Sequence, residues 1–210
     1  STSTTLSTPA MPLSTKGAQI VDAKGNPVIL RGINWFGMET ENHVPHGLWV
    51  RGYKEMLQQI HDLGFNMIRF IAGVARRYQL DLADEIGLLV YEECYAGWCL
   101  GDSPHMVERF DRSVAAMIRR DRNHPSVVIW GLLNETHDGP VFRHAAAALP
   151  RLRELDDTRM VMLNSGRWDL HGRGMLEGLE IWRGTDVVDP NVTRNSNKRP
   201  LAKIPVWCGR

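Results

Sequence analysis

No stretch of this sequence is apolar enough to cross a bilayer; nothing approaches the ~18 consecutive apolar residues that a spanning helix needs. No sign of charge dominates: 25 Lys and Arg stand against 24 Asp and Glu, for a net charge of +1. No basic stretch stands out either, so binding to nucleic acid or to an anionic membrane surface has no electrostatic support. Cysteine is scarce. The three present, Cys94, Cys99 and Cys208, have neither metal-ligand spacing nor the pattern of a disulfide framework. One pair could bridge, with Cys94 and Cys99 the foremost candidates, and the sequence leaves this open. There is no initiator Met and no apolar signal segment, so the chain reads as a mature or excised piece.

The first ten residues, Ser-Thr-Ser-Thr-Thr-Leu-Ser-Thr-Pro-Ala, carry little that could pack. They read as the end of a Ser/Thr-rich linker of the kind that tethers modules of secreted proteins, and on that composition an extracellular location is expected. The whole chain is 43% hydrophobic, enough for residues 11–210 to form one domain with a sizeable core. Seven Trp and eight His are many for this length. The flat axial face of a pyranose lies well on an aromatic ring, so part of the Trp set suits sugar platforms and the rest suits a core.

After the linker, residues 20–28 predict a small hairpin around Gly25-Asn26, with strand one following over 28–34. Residues 52–63 put Tyr53, Met56, Leu57, Ile60 and Leu63 on one helical face, and Gly64 ends the helix. Strand two is expected over 65–70, a helix over 76–86 stopped by Gly87, and strand three over 88–91. A loop rich in Cys, Trp and Gly comes next. A helix then aligns Val107, Phe110, Val114, Met117 and Ile118 ahead of strand four, 127–133. One more amphipathic segment, 141–155, leads to strand five, 160–163. Strands that alternate with helices imply a parallel sheet. An open doubly wound sheet usually carries a Gly-rich phosphate turn after strand one, and Asn34-Trp35-Phe36-Gly37 is not one. The expected architecture is therefore α/β of the (β/α)8 TIM-barrel type. A full barrel typically takes ~250 residues, and beyond strand five only 204–208 is a convincing strand, so the barrel is expected to be shortened or incomplete.

Polar residues recur at one end of these strands: Asn34 and Trp35, Arg69, Glu92 and Glu93, Asn134 and Glu135, Asn164 and Ser165. Taken singly, each of them reads more simply as a cap or a solvated turn residue. Asn134 or Thr136, for example, could simply cap the next helix. Their recurrence favours a site, because a barrel enzyme builds its site from the C-terminal ends of several strands. The chemistry suggested is acetal hydrolysis, in which one carboxyl group protonates the leaving oxygen and a second attacks the anomeric carbon or activates water. Glu135 suits the acid/base role. Asn134 suits a hydrogen bond to the sugar 2-hydroxyl, and Arg69 suits holding a nucleophilic carboxylate ionised. His137 lies just beyond, lining the site or solvated. No metal or cofactor is called for, since hydrolysis by paired carboxylates needs none; the expected partner is a polysaccharide or oligosaccharide.

Two family resemblances bear on this. Arg31-Gly-Ile-Asn-Trp35-Phe-Gly, the loop His43-Val-Pro-His46-Gly-Leu-Trp49 and Leu63-Gly-Phe-Asn-Met-Ile-Arg69 make residues 13–70 resemble the opening of glycoside hydrolase family 5 endoglucanases. That resemblance implies that Arg69 sits beside the nucleophile and that Asn134-Glu135 is the usual asparagine and acid/base pair. It also places Trp35 and one of the loop histidines, His43 or His46, near the sugar; Trp98, in the loop after strand three, is a further substrate-binding candidate. Residues 66–169 differ. Asp84-Glu-Ile-Gly-Leu-Leu-Val-Tyr-Glu-Glu93 and Arg119-Arg-Asp-Arg-Asn-His-Pro-Ser-Val-Val-Ile-Trp-Gly-Leu-Leu-Asn-Glu135 resemble glycoside hydrolase family 2, which holds β-galactosidases and β-glucuronidases. Both families share a barrel and give Glu135 one role, so the chain reads as a mosaic.

The end returns to the first pattern: Ile204-Pro-Val-Trp207-Cys-Gly209 resembles the strand-seven segment before the endoglucanase nucleophile, and Arg210 follows. The strand-six histidine and tyrosine pattern is not visible, and Glu92 and Glu93 stand where the strand-three histidine would be. The nucleophile is thus unassigned. Glu92 and Glu93 are the nearest candidates by topology, Glu177 and Glu180 lie in an ill-defined region, and family 2 does not use strand-three acids in this role. Three readings stay open: a β-1,4-endoglucanase-like hydrolase, an exo-acting β-galactosidase or β-glucuronidase type, and a catalytically impaired glycan-binding barrel fragment. The long loop from His43 to Trp49 favours an open polymer cleft and hence the first. An incomplete barrel would expose edges on strands one and five and be prone to self-association.

Overall fold

The computed structural model of the chain describes residues 8–17, 19–37, 51–71, 73–95 and 101–165. The strand expected over 204–208, Arg210, Glu177 and Glu180 lie outside the described residues, as do His43, His46 and Trp98.

Three short antiparallel strands open the fold: β1 (Ser14–Lys16), β2 (Gln19–Val21) and β3 (Pro27–Val28). The expected hairpin is present. Its turn is closed by the Asp22 carboxylate, which accepts the N–H groups of Lys24 at 2.9 Å and Asn26 at 2.8 Å. Packing begins before residue 11, because the Ala10 carbonyl accepts the Ala23 N–H at 2.9 Å. The strand expected over 28–34 is divided: β3 ends at Val28 and β4 runs Gly32–Trp35. Asn66 causes the break. Its side chain donates to the Ile29 carbonyl at 2.8 Å and accepts the Arg31 N–H at 2.6 Å, which ties the connecting residues down between the two sheets.

The main sheet is parallel, in the order β4, β5 (Met67–Phe70), β6 (Leu89–Glu93), β7 (Val127–Asn134), β8 (Met160–Ser165). Strands β6, β7 and β8 run further than the sequence implies, through Glu93, Asn134 and Ser165, so their polar ends belong to the ladder. The connections are helical. Helix α1 (Tyr53–Asp62) buries Tyr53, Leu57 and Ile60, and α2 (Arg77–Ile86) buries Leu80 and Ala83. Gly87, at φ 82°, stops α2 in the left-handed conformation that glycine adopts without penalty. Helix α3 (Met106–Asp121) buries Met106, Phe110, Val114, Met117 and Ile118. Val107 was expected on this face but is 50% exposed, one position off the stripe that Met106 leads. The segment expected as one helix is two, α4 (Pro140–Ala147) and α5 (Leu149–Leu155). Pro150 explains the break, since it has no N–H to continue the helical ladder from α4.

Side-chain alternation sorts the strand residues into two layers. Ile68, Phe70, Val90, Trp130, Leu132, Val161 and Leu163 pack with apolar residues from all five described helices. Met67, Leu89, Tyr91, Ile129, Met160 and Met162 pack instead with Leu13 and Ile20 of the N-terminal segment, and among the described residues no helix contributes. A doubly wound sheet has helices on both faces; here the described helices cover one. That is the layering of a (β/α) barrel, in which the second face is the barrel interior. Trp130, on the helical side, donates from Nε1 to Asp156 at 2.8 Å and anchors β7 to the turn before β8.

Candidate active site

Because the strands are parallel, their C-terminal ends meet at one edge. Register places Asn34 beside Arg69, Arg69 beside Tyr91, Glu93 beside Gly131 and Asn134 beside Ser165. On β6, Leu89, Tyr91 and Glu93 share the interior face. Arg69 points into the same interior and is only 4% exposed. Its Nε donates to Glu93 Oε1 at 3.1 Å, and its Nη2 donates both to Glu93 Oε1 and, at 2.5 Å, to Asn134 Oδ1. The Tyr91 hydroxyl lies 3.2 Å from Glu93 Oε1 and 3.2 Å from Met162 Sδ. The carboxylate is the stronger acceptor, so the phenol proton goes to Glu93. The guanidinium also lies 4.9 Å from the Tyr91 ring centroid, within cation–π range. One interior network thus joins β5, β6 and β7.

Beyond Asn134 the chain turns sharply. Glu135 is the only non-glycine residue with positive φ among the described residues, at 49°. Such a conformation costs a residue other than glycine about 1–3 kcal/mol and persists where its surroundings fix it. Strand β8 does the fixing. The Glu135 N–H donates to the Ser165 carbonyl at 2.7 Å, and Asn164 bonds both backbone groups of Thr136, accepting its N–H at 3.2 Å and donating to its carbonyl at 2.7 Å. The Thr136 hydroxyl closes the turn on the Asn134 carbonyl at 3.1 Å. The result is an exposed carboxyl group on a fixed backbone, above a buried amide. Neither Asn134 nor Thr136 caps the next helix; α4 begins at Pro140 with Gly139 before it.

The remaining sequence-derived candidates fall differently. Trp35 is not an open sugar platform. It is 7% exposed, stacks on Tyr53 of α1 at 5.1 Å and on Phe70 at 6.4 Å, and belongs to the layer beneath the helices. Glu92 is not available as a nucleophile: it faces the helices, pairs in register with Phe70, and is fully buried. Glu93 is on the right face but has no exposed surface and is held by Arg69, so it serves that cation and does not meet solvent. His137 is exposed on the loop after Glu135. Cys94 is buried, with its Sγ 3.5 Å from the Leu132 carbonyl; Cys99 lies outside the described residues. Sequence reasoning missed Tyr91, Gly131 and the role of Asn164. Strand geometry puts Tyr91 and Glu93 on one face, but β6 is buried throughout and its sequence carries no signal of which face that is. Away from this edge, at the start of β7, Asp81, Asp84 and His124 gather three possible ligand atoms within 4.8 Å of one another. The His124 Nδ1 to Asp84 separation of 2.7 Å is that of a hydrogen bond.

Glu92 has a physical consequence of its own. Burial pushes its carboxyl well above the usual range, and the negative charge of the neighbouring Asp121 pushes it further. Arg120 Nη2, 3.7 Å from Glu92 Oε1 and 2.6 Å from Asp121 Oδ2, and the Ala75 N–H at 3.1 Å offset this only in part. The native state therefore keeps a proton that the unfolded chain has lost. Stability falls as pH rises from the ordinary value of 4.5 toward the raised native one. Glu92→Gln removes that loss, because its amide is neutral at every pH. Urea unfolding at pH 5 and pH 8 is expected to show a flatter profile for the variant and a gain of about 1–2 kcal/mol over wild type at the higher pH. Parallel profiles would contradict the assignment.

The sequence model of the family described as glycosyl hydrolases family 2, TIM barrel domain, matches residues 17–176. The chain belongs to that family. The solved structures it resembles include the family 2 beta-galacturonidase of Eisenbergiella tayi bound to galacturonate, with a TM-score of 0.60 and 28% identity over 71% of this chain and 27% of that one. The beta-glucuronidase of Parabacteroides merdae aligns with a TM-score of 0.56 and 28% identity over 71% of this chain and 20% of that one. A hyperthermophilic endocellulase from the archaeon Pyrococcus horikoshii shares the fold, with a TM-score of 0.62 at 22% identity over 76% of this chain and 58% of that one. Among curated proteins, the major extracellular endoglucanase of Xanthomonas campestris pv. campestris is 57% identical over 51 residues, 24% of this chain and 10% of that protein. The chain thus spans a small part of that endoglucanase and less than a third of the family 2 structures.

Proposed function

We propose that the chain hydrolyses β-glycosides, with Glu135 as general acid/base, and that its substrate class is β-1,4-glucan. The observation that carries the reading is the turn itself: an exposed carboxyl group fixed by Ser165 and Asn164, directly after an amide that Arg69 orients. A proton donor for a leaving oxygen needs that combination of access and fixed direction. Family 2 membership supports the glycosidase class. The 57% identity to an extracellular endoglucanase over 51 residues supports glucan as substrate and an extracellular location. In this reading the chain is a mosaic, endoglucanase-like over 13–70 and 204–209 and family 2-like over 66–169, with a Ser/Thr-rich tether at its start.

A second reading, an exo-acting β-galactosidase or β-glucuronidase type, is favoured by the family match, which extends from residue 17 to 176 and includes the whole Arg69–Glu93–Asn134 network. The two are separated by measuring reducing ends released from soluble cellulose against release from aryl β-glucoside, β-galactoside and β-glucuronide. Glucan hydrolysis is expected. Activity on the galactoside or glucuronide alone would replace the first reading by the second. Binding to cellulose without turnover would make the chain an impaired glycan-binding barrel.

A further inference from the structure

We infer that Glu93 is a positioning residue, which acts through Arg69 to set the direction of the Asn134 side-chain amide. The inference rests on the reading of Asn134 and Glu135 as the substrate-facing pair. An asparagine amide has two faces of opposite character, an accepting oxygen and a donating NH2, and its orientation is decided by its partners. Here the Oδ1 is claimed by Arg69 Nη2 at 2.5 Å. The Nδ2 therefore lies on the opposite side of the amide and is the group left to donate to a sugar hydroxyl oxygen.

Arg69 can hold that Oδ1 only while its own plane is fixed, and Glu93 fixes it. The carboxylate accepts from Nε at 3.1 Å and from the same Nη2 that reaches Asn134, so the two hydrogens of that nitrogen are directed apart, one to each partner. Tyr91 braces the carboxylate from the side at 3.2 Å. All three charged or polar anchors, Arg69, Glu93 and Tyr91, are buried, so water does not compete for these bonds. Gly131, opposite Glu93 in register, leaves the room that the carboxylate and the phenol occupy. A glutamine at 93 would present either an NH2 to the Arg69 donors or a single neutral oxygen. Either way the guanidinium loses its ionic clamp, and the amide of Asn134 loses its bias.

The test compares Glu93→Gln, Glu93→Asp and wild type on paired aryl β-glycosides with and without the 2-hydroxyl. With the hydroxyl present, kcat of Glu93→Gln is expected to fall on the order of 10²-fold, the cost of misplacing a catalytic contact, with KM little changed. On the 2-deoxy substrate the same variant is expected to lose far less, because the contact that Glu93 supports is already missing. Glu93→Asp, which keeps the charge, is expected to recover part of the rate. An equal loss on both substrates would overturn the proposal in favour of general destabilisation, and so would no loss on either. If wild type hydrolyses none of these substrates, the functional reading falls by itself. The positioning role is then decided by the side-chain NH2 signals of Asn134 in nitrogen–proton NMR spectra. Movement of those signals in Glu93→Gln supports the role, and unchanged signals overturn it.

Discussion

Glu135→Gln is expected to lower hydrolysis of unactivated glycosides by roughly 10²–10⁴-fold, the range that general acid catalysis contributes. The substitution keeps the size and shape of the side chain and removes its transferable proton. It leaves the turn intact, because the bonds that hold residue 135 in its left-handed conformation are made by its backbone N–H and by Asn164, not by its carboxyl group. Loss of activity can therefore be read as chemistry and not as unfolding. The loss should depend on the leaving group. An alkoxide needs its proton as the bond breaks, whereas a dinitrophenolate departs without one, so the variant is expected to retain much more of the wild-type rate on the dinitrophenyl glycoside. A loss of the same size on both substrates would remove Glu135 from the acid role. Full activity on both would remove it from the site altogether.

That prediction depends on where the carboxyl group sits, and nothing local in the sequence reveals its backbone. Glutamate has no particular liking for positive φ. The conformation is imposed by Ser165 and Asn164, about thirty residues further on, through three backbone contacts. What could be read locally was the position: a helix, an apolar run over 127–133, then Asn134 and Glu135. The same limit explains Trp35. An indole at a strand end serves as a platform or as core according to what covers it, and here the cover is Tyr53, which arrives on the following helix. The helical faces were legible because they need only periodicity within a segment, and they failed at Pro150, at Val107 and at Leu63, which was expected on the buried face of α1 and is 69% exposed at its C-cap.

Glu92 and Glu93 show a different limit. They are neighbours of the same type, and only the parity of the strand tells them apart. In a half-buried strand polar residues mark one face, but β6 is buried on both sides, so Leu89, Val90 and Tyr91 give no visible alternation. The outcome is two carboxyl groups with opposite lives. Glu92 lies under α3 beside Asp121, where burial disfavours its charged form, a cost to the fold at higher pH. Glu93 lies in the barrel interior, is matched by Arg69, and binds three strands together. Neither has solvent access, so the nucleophile that a retaining site needs about 5 Å from the acid is neither of the strand-three acids.

The second large effect is expected at Gly131. This residue lies in the middle of β7, where a β-branched residue would ordinarily be favoured. It faces Glu93 across the ladder, and a Cβ built on it would run into the Tyr91 ring, reaching 2.9 Å from Cζ, and into Glu93 Cγ at 2.6 Å. Real Cβ atoms do not approach carbon so closely, so alanine would force either the phenol or the carboxylate to move. Tyr91 cannot yield cheaply, because its ring lies under the Arg69 guanidinium and its hydroxyl is bound to Glu93. Glu93 cannot yield without loosening its bonds to Arg69. Gly131→Ala is therefore expected to destabilise by about 3 kcal/mol or more, at or above the usual cost of overpacking. For a domain of this size that is a fall in melting temperature of roughly 6–12 °C. Tyr91→Leu provides the control. With the ring gone, two of the three nearest contacts of the added methyl are removed and the Glu93 methylene remains, so the cost of Gly131→Ala in that background is expected to drop by at least half. An equal cost in both backgrounds would mean that the glycine is required for the backbone of β7 and not for the space that Tyr91 and Glu93 fill.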